Sequence, residues 1–146
     1  MKRYLCLFGV AALLLVAADD RDEAKKEIER FEGTWTYVSL EIEGNKAPQD
    51  SYKGAKLVIK GDKFTAHQGE EVLHGTFKVD TSKKPKTIDV TFSDGPDKGK
   101  IMRGIYELDG DTYKVCIAMP GKDRPTKFET KKDSGHVLEV LKREKK

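Results

Sequence analysis

The feature that most constrains the fold is a regular alternation of apolar and polar residues across Ala55–Met119, interrupted by turn signals. Gly61-Asp62 and Asp109-Gly110 are the clearest of these signals, because Gly and Asp tolerate the positive φ of a tight hairpin. Each turn pairs two neighbouring strands, and all the pairings place apolar side chains on one face of a single sheet. The sequence therefore predicts a series of antiparallel hairpins in sequential order.

The alternation assigns large apolar side chains to an inner face and Lys, Thr and charged residues to an outer face. The side chains expected on the inner face are Leu57, Ile59, Phe64, Ala66, Phe77, Val79, Ile88, Val90, Phe92, Met102, Tyr106, Tyr113, Val115 and Ile117. The turn positions predict the pairs Leu57–Ala66, Ile59–Phe64, Phe64–Phe77, Ala66–Gly75, Val79–Ile88, Phe77–Val90, Phe92–Met102, Val90–Gly104, Tyr106–Tyr113, Gly104–Val115 and Met102–Ile117.

Two further apolar segments, Thr34–Glu43 and His136–Arg143, extend the series to eight strands. Eight antiparallel strands can close into a barrel whose interior is filled by side chains or holds one small ligand. The sequence therefore predicts an all-β, eight-stranded antiparallel up-and-down barrel with a short N-terminal helix; an open two-sheet sandwich is the alternative. In the last strand, two apolar pairs compete for the interior: Val137 with Leu141, and Leu138 with Val140.

The first residues are typical of an export signal. Lys2 and Arg3 precede an apolar run, Tyr4–Val16, that is too short to span a bilayer, and Ala17-Ala18 supplies the small residues that precede a cleavage site. We expect cleavage near Ala18 and a periplasmic or extracellular location, with a membrane anchor as the alternative. The predicted organisation is a signal peptide at residues 1–18, a helical segment at residues 19–32 and a barrel domain at residues 33–146.

Charge and cysteine content limit the partners of the mature chain. Cleavage removes Lys2 and Arg3 but no acid, so the net charge falls from +3 to +1. This balance argues against nucleic-acid binding, and we expect a monomer without a membrane span. Cys116 is the single cysteine left after cleavage, so we expect no intramolecular disulfide and a buried thiol.

Residues 22–31 are predicted to form a helix, because Ala24, Ile28 and Phe31 share one face. We expect this helix to cover an apolar patch on the outer face of the barrel; without that cover, the patch is a candidate partner surface. The patch consists of Ile101, Ile105, Cys116 and Ala118.

Gly33-Thr34-Trp35, at the start of the first strand and after a short helix, resembles the Gly-x-Trp signature of lipocalin-like barrels. The resemblance implies that Trp35 packs at the closed end of the barrel. It also implies that a basic residue near the end of the last strand lies across the indole in a cation–π contact. Arg143 is at the matching position, and Lys142 is the second choice.

A closer resemblance extends over nearly the whole mature chain. It is carried by Gly61-Asp62-Lys63-Phe64, by Gly104-Ile105-Tyr106-Glu107-Leu108-Asp109-Gly110-Asp111, by Arg124-Pro125-Thr126 and by Ser134-Gly135-His136. These segments are similar to those of an uncharacterised family of small, exported lipocalin-like domains found in many copies in planctomycete bacteria. The resemblance implies the fold and export, and it provides no catalytic residues.

No catalytic or metal-binding constellation stands out in the sequence. His67 and His74 are expected to face each other across a hairpin on the outer side, without the third ligand that a zinc site needs. The sequence has no nucleophile elbow, phosphate loop or zinc-protease motif. We therefore expect a protein that is not an enzyme and that uses no cofactor or metal.

The inner face mixes small residues with large ones. Ala66, Gly75 and Gly104 either leave room for a ligand or let strands bend where the barrel closes. A ligand in such an interior would be mostly apolar with one or two hydrogen-bonding groups. The candidate cavity lining is Phe64, Phe77, Val90, Phe92, Gly104, Tyr106 and Tyr113.

Two functions are consistent with these observations. The first is an exported binding protein that holds a small apolar molecule inside its barrel. The alternative is a protein-binding module with a filled core, such as a protease inhibitor or an envelope adaptor. Gly121–Gly135 is the longest connection between strands, and its Arg124 and Phe128 are expected either to bind a partner or to fold over one mouth of the barrel.

Overall fold

The computed structural model describes residues 21–145, in which one helix precedes an antiparallel sheet that closes on itself. Residues 21–30 form helix α1, and Gln49–Ser51 form a 3-10 turn. The strands are β1 Gly33–Ile42, β2 Asn45–Lys46, β3 Lys56–Lys60, β4 Lys63–Gln68, β5 Glu71–Asp80, β6 Lys86–Phe92, β7 Ile101–Asp109, β8 Thr112–Ala118 and β9 His136–Arg143.

Pairing between the first and last strands closes the barrel. From β3 to β9 each strand pairs with the next one in sequence, and β1 pairs with both β3 and β9. The β1–β9 pairing runs from Trp35 opposite Arg143 to Ile42 opposite Val137, with a bulge at Val38. The short β2 only extends one edge of β1. The predicted eight-stranded barrel is therefore confirmed, and the open sandwich is wrong.

The predicted signal peptide, residues 1–18, lies outside the described residues. Within residues 21–145, no helix combines the length and apolarity that a bilayer span requires.

The predicted inner face is confirmed along the whole meander. Every large side chain assigned to it is buried in the core or packs against the core. On β9, the competition between the two apolar pairs is resolved in favour of Val137 and Leu141, which are both buried. Leu138 and Val140 therefore face outward.

The predicted register is confirmed in two hairpins and wrong in three. Ile59 pairs with Phe64, and Val79 pairs with Ile88, as expected. The other three pairings are each displaced by two residues, which leaves every side chain on its predicted face. The observed pairs are Phe64–Gly75, Ala66–Leu73, Val90–Met102, Ile88–Gly104, Tyr106–Val115, Leu108–Tyr113 and Gly104–Ile117.

Two of these displacements arise from the position of glycine in the turn. The β4–β5 loop is Gly69-Glu70 instead of Glu70-Glu71, and the β7–β8 loop is Gly110-Asp111 instead of Asp109-Gly110. In both loops the glycine has a φ near +60° and the residue after it does not have a positive φ. A two-residue hairpin loop with Gly first is the type II′ arrangement, which moves the loop one residue from its expected position.

The third displacement arises in the β6–β7 loop. Phe92 remains paired with Gly75 of β5, but its carbonyl accepts the Gly99 N–H at 2.9 Å. Asp94 at the loop start binds back to His74, accepting its backbone N–H at 2.8 Å. The Asp94 contact holds the start of the loop against β5, the Gly99 bond closes the loop on Phe92, and the pairing with β7 begins at Thr91.

Helix α1 covers the end of the barrel, and not the outer patch that the sequence predicted. Phe31, just after the helix, is fully buried in the core, and its ring contacts the ring of Phe77 edge-on at 5.3 Å. Glu27 is also buried, where it accepts hydrogen bonds from Tyr106 at 2.9 Å and from Lys86 at 2.7 Å. The helix therefore closes the barrel with both an apolar ring and a buried ionic contact.

The outer patch is covered by the segment 119–135. Arg124 donates to the carbonyl oxygens of Ile88 and Gly104, and Cys116 Sγ donates to the Glu129 carbonyl at 3.5 Å. Of the patch residues, Cys116 and its neighbours Ile105 and Ala118 are buried, whereas Ile101 stays exposed. The segment therefore lies along the outside of the barrel, because Arg124 satisfies strand carbonyls there.

The stacking of Arg143 on Trp35 agrees with the expected barrel-end contact. The guanidinium carbon lies 4.5 Å from the centre of the indole ring. Arg143 also donates to the backbone carbonyls of Arg30 and Glu32, while the indole N–H donates to the Phe31 carbonyl at 2.8 Å. One side chain thus joins the last strand, the first strand and the end of the helix.

We expect Arg143→Ala to lower the free energy of unfolding by about 2 kcal/mol, because it removes a cation–π contact and leaves carbonyls unpaired. Lys142→Ala is the matched control, since Lys142 is the exposed basic neighbour, and it should change the stability by less than about 0.5 kcal/mol. Urea unfolding followed by Trp35 fluorescence measures both variants. Equal losses in the two variants would show that the stack does not stabilise the closure.

Candidate functional site

A cavity of about 110 Å³ lies inside the barrel. Its wall is apolar except for two tyrosines and one glutamate. The residues that line it are Phe31, Tyr37, Leu57, Ile59, Phe64, Ala66, Phe77, Ile88, Val90, Phe92, Met102, Tyr113, Val115, Ile117 and Glu139.

Most of the candidate lining residues named from the sequence meet at this cavity. Five of them line it: Phe64, Phe77, Val90, Phe92 and Tyr113. Tyr106 and Gly104 do not. The Tyr106 hydroxyl points to the closed end of the barrel, where it donates a hydrogen bond to Glu27. Burial is the largest cause of the raised pKa of Tyr106.

Gly75 and Gly104, the two glycines of the inner face, lie where neighbouring atoms approach the backbone closely, so they do not enlarge the cavity. A Cβ built on Gly75 would lie 2.3 Å from the Phe64 ring and 2.5 Å from the Thr91 carbonyl oxygen. A Cβ on Gly104 would lie 2.7 Å from the Cys116 carbonyl oxygen. A larger residue at Gly104 would therefore disturb the strand pairing without filling the cavity, whereas Ala66 does line the cavity.

Glu139 is the main feature of the cavity that the sequence analysis missed. It lies in the middle of β9, between the buried Val137 and Leu141, and its partly buried side chain lines the cavity. Burial raises the pKa of Glu139 to about 7. Within residues 21–145, its carboxylate has no ion-pair or hydrogen-bond partner. The barrel therefore holds an unpaired acid on an apolar wall.

Two tyrosines flank Glu139 on the neighbouring strands. In the register, Glu139 lies opposite Val115 of β8 and Leu40 of β1, and the next inward residue, Leu141, lies opposite Tyr113 and Tyr37. Diagonal neighbours of this kind are within reach of long side chains. The negative charge of Glu139 is the largest cause of the raised pKa of Tyr37, and burial is the largest cause for Tyr113.

One signal in the sequence could have located Glu139. Side chains alternate along a strand, so residues an even number of positions apart share a face. The expected contact between Arg143 and Trp35 places Arg143 on the inner face at the closed end, and Glu139 is four positions earlier. Only this long-range contact, and not the local hydrophobicity of β9, fixes which face is inside.

The remaining candidate residues from the sequence lie away from the cavity. Gly33 lies at the closed end, where a Cβ would touch Arg143 at 3.4 Å. Arg124 forms an ion pair with Asp89 at 2.7 Å on the outer face. Phe128 lies under the Lys114 ammonium, 4.6 Å from its ring centre. Neither Arg124 nor Phe128 lies over a mouth of the barrel.

The histidines do not form the expected facing pair. His67 lies opposite Val72, and His74 lies opposite Thr65, because of the displaced β4–β5 register. His74 instead bonds to Asp94, with 2.7 Å between Nδ1 and Oδ2. In the described part of the chain, no cluster of three or more potential metal ligands is present.

Cys116 is buried, as the sequence predicted. Burial raises the pKa of its thiol to about 11, which keeps the thiol protonated and unreactive at neutral pH.

No protein-family model matches the chain, and no curated protein matches it significantly. The similarity to exported lipocalin-like domains therefore stays a prediction from the sequence segments that carry it.

The raised pKa of Glu139 predicts that the stability of the protein depends on pH. Its pKa in the folded state, about 7, is above the ordinary value of 4.5. Between pH 4.5 and pH 7 the folded state retains a proton that the unfolded state releases. The contribution of this carboxyl to the free energy of unfolding is therefore largest below pH 4.5, and it is lost as the pH rises through 7. The full loss is on the order of 3 kcal/mol.

We expect Glu139→Gln to flatten this dependence, with a free energy of unfolding above that of the wild type at pH 8. Glu71→Gln is the matched control, because Glu71 is an exposed strand glutamate. Denaturant unfolding at several pH values between 5 and 8 measures all three proteins. An unchanged slope in Glu139→Gln would show that the carboxyl titrates normally.

Proposed function

We propose that the protein binds a small, mostly apolar molecule inside its barrel and acts as a carrier or sensor of that molecule. The observation that carries the proposal is the cavity, whose wall is apolar apart from Tyr37, Tyr113 and Glu139. Binding sites for small molecules are typically concave and apolar with a few polar groups that fix orientation. A volume of about 110 Å³ favours a ligand of only a few heavy atoms; an engineered cavity of about 150 Å³ takes up benzene.

Access to the cavity is favoured on the side of β1. Tyr37 lines the cavity and also a surface depression of about 330 Å³ next to the segment Gln49–Ala55. Past Thr36, β1 is no longer paired with β3, and the gap is bridged by the Tyr52 hydroxyl, which donates to the Val38 carbonyl at 3.2 Å.

The cavity is the reason to prefer ligand binding over the protein-binding alternative. That alternative relied on the outer apolar patch or on the segment Gly121–Gly135. Most of the patch is buried, and the segment is itself bonded to the barrel through Arg124 and Thr130. Within the described residues, the patch and the segment therefore pack against each other.

We also propose that the chain is not an enzyme and needs no cofactor, that it acts as a monomer without nucleic acid, and that it is exported after cleavage near Ala18. In the part of the chain that the structure describes, the residues that line the cavity include no Ser, Thr, Cys or Lys that could act as a nucleophile beside a base, which is the arrangement that covalent catalysis requires.

We expect n-butanol to bind inside the barrel of the wild-type protein. Amide chemical-shift changes in NMR titrations should concentrate on the strands that line the cavity. Ala66→Leu should abolish these changes, because the added carbons occupy the cavity. Thr65→Leu, on the opposite face of the same strand, should leave them intact.

Circular dichroism verifies that each variant is folded, and Val90→Phe fills the cavity from another strand if Ala66→Leu is unstable. The proposal is wrong if no small apolar probe of this size, n-butanol included, perturbs the cavity-lining amides of the wild type, or if both filled variants bind n-butanol as the wild type does.

A further inference from the structure

The surroundings of Glu139 disfavour the charge of its carboxylate. The carboxylate is partly withdrawn from water and has no hydrogen-bond or ion-pair partner among residues 21–145, and both conditions disfavour its charged form. The glutamine that would avoid this charge has nearly the same shape. The position of Glu139 is therefore better explained by a ligand than by the stability of the barrel.

The groups that face Glu139 do not supply a positive charge. On β8 they are Tyr113 and Val115, and on β1 they are Tyr37 and Leu40. The cavity wall contains no Lys, Arg or His among the described residues. The inward-facing basic residue of β9 is Arg143, which stacks on Trp35 at the closed end and is bonded to Asp111 at 3.1 Å. A positively charged partner for the carboxylate would therefore have to come from a ligand.

Aromatic rings make the same cavity favourable for a cation. Tyr37, Tyr113 and Phe31 all line it. The faces of aromatic rings carry partial negative charge and attract ammonium groups, most strongly where the contact is desolvated. An anionic ligand such as a short fatty acid would instead place its carboxylate in a cavity that already contains an uncompensated acid.

We propose that the ligand is a small primary amine, bound as its ammonium cation with Glu139 as the counter-ion and with its apolar part among the aliphatic and aromatic side chains of the barrel. This inference rests on the proposed binding function and specifies the ligand class. The tyrosine hydroxyls of Tyr37 and Tyr113 are available to accept the remaining N–H groups of the ammonium. The cavity volume favours a short alkylamine.

Binding of such a ligand depends on pH through Glu139. The pKa of this carboxyl in the free protein is about 7, because burial disfavours its charged form. An alkylamine stays protonated across this range, as a lysine side chain does. Lowering the pH from 8 to 6 neutralises Glu139 and should weaken amine binding by about tenfold. A neutral ligand should bind with little change.

The test compares n-butylamine with n-butanol, which have nearly the same size and differ in charge. NMR titrations of the full mature chain give the affinity of each probe and show whether the perturbed amides line the cavity. In the wild type at pH 8, we expect n-butylamine to bind about tenfold more tightly than n-butanol, and we expect most of this advantage to be lost near pH 6. Glu139→Gln should bind both probes with similar affinity at either pH, and Glu71→Gln should behave as the wild type.

The outcomes separate the two proposals. If n-butanol binds in the cavity and n-butylamine does not, the amine inference is wrong and the binding function stands. If Glu139→Gln keeps the preference for n-butylamine, the counter-ion is not Glu139 and the inference is also wrong. If neither probe perturbs the cavity-lining amides, the binding function itself fails.

Discussion

The pairing of the first strand with the last is the constraint on which the rest of the structure depends. Arg143 stacks on Trp35 at one end of this seam and donates to carbonyls at the end of the helix. The backbone bonds of the seam remove the two free edges that an open sheet would have. The same contact holds Phe31 in the end of the barrel, so the seam that closes the sheet also fixes the helix end of the barrel.

The seam also decides which side chains of β9 are inside. Once Arg143 faces inward, alternation brings Leu141, Glu139 and Val137 to the interior in turn. Two of these are good core residues and one is an acid. An unpaired acid on an apolar wall breaks the local pattern of the strand, and such departures are expected mainly where a protein binds or reacts.

The fold could be predicted further than the site because the two depend on different information. Alternation identifies faces, so side chains such as Phe77 and Val115 were assigned correctly. A shift of two residues keeps every side chain on its face, so alternation cannot detect it. The hairpins at Gly69 and Gly110 were predicted two residues out of register because only the turn geometry distinguishes the two registers. Glu139 was missed because a charged residue in an amphipathic strand is normally assigned to solvent, and only the contact between distant residues reverses that assignment. Arg124 was recognised as important, but its binding to strand carbonyls depends on tertiary structure.

The seam joins segments that are far apart in the chain: the Thr36 hydroxyl donates to the carbonyl of Lys142, 106 positions later. Contacts over such separations form late, because a long loop must be closed before they contribute any stability. During folding, the earlier hairpins can assemble while β1 and β8 still present unpaired edges. In this interval the last strand of one molecule can complete the sheet of another, so intermolecular strand exchange competes with folding, and the outcome depends on protein concentration.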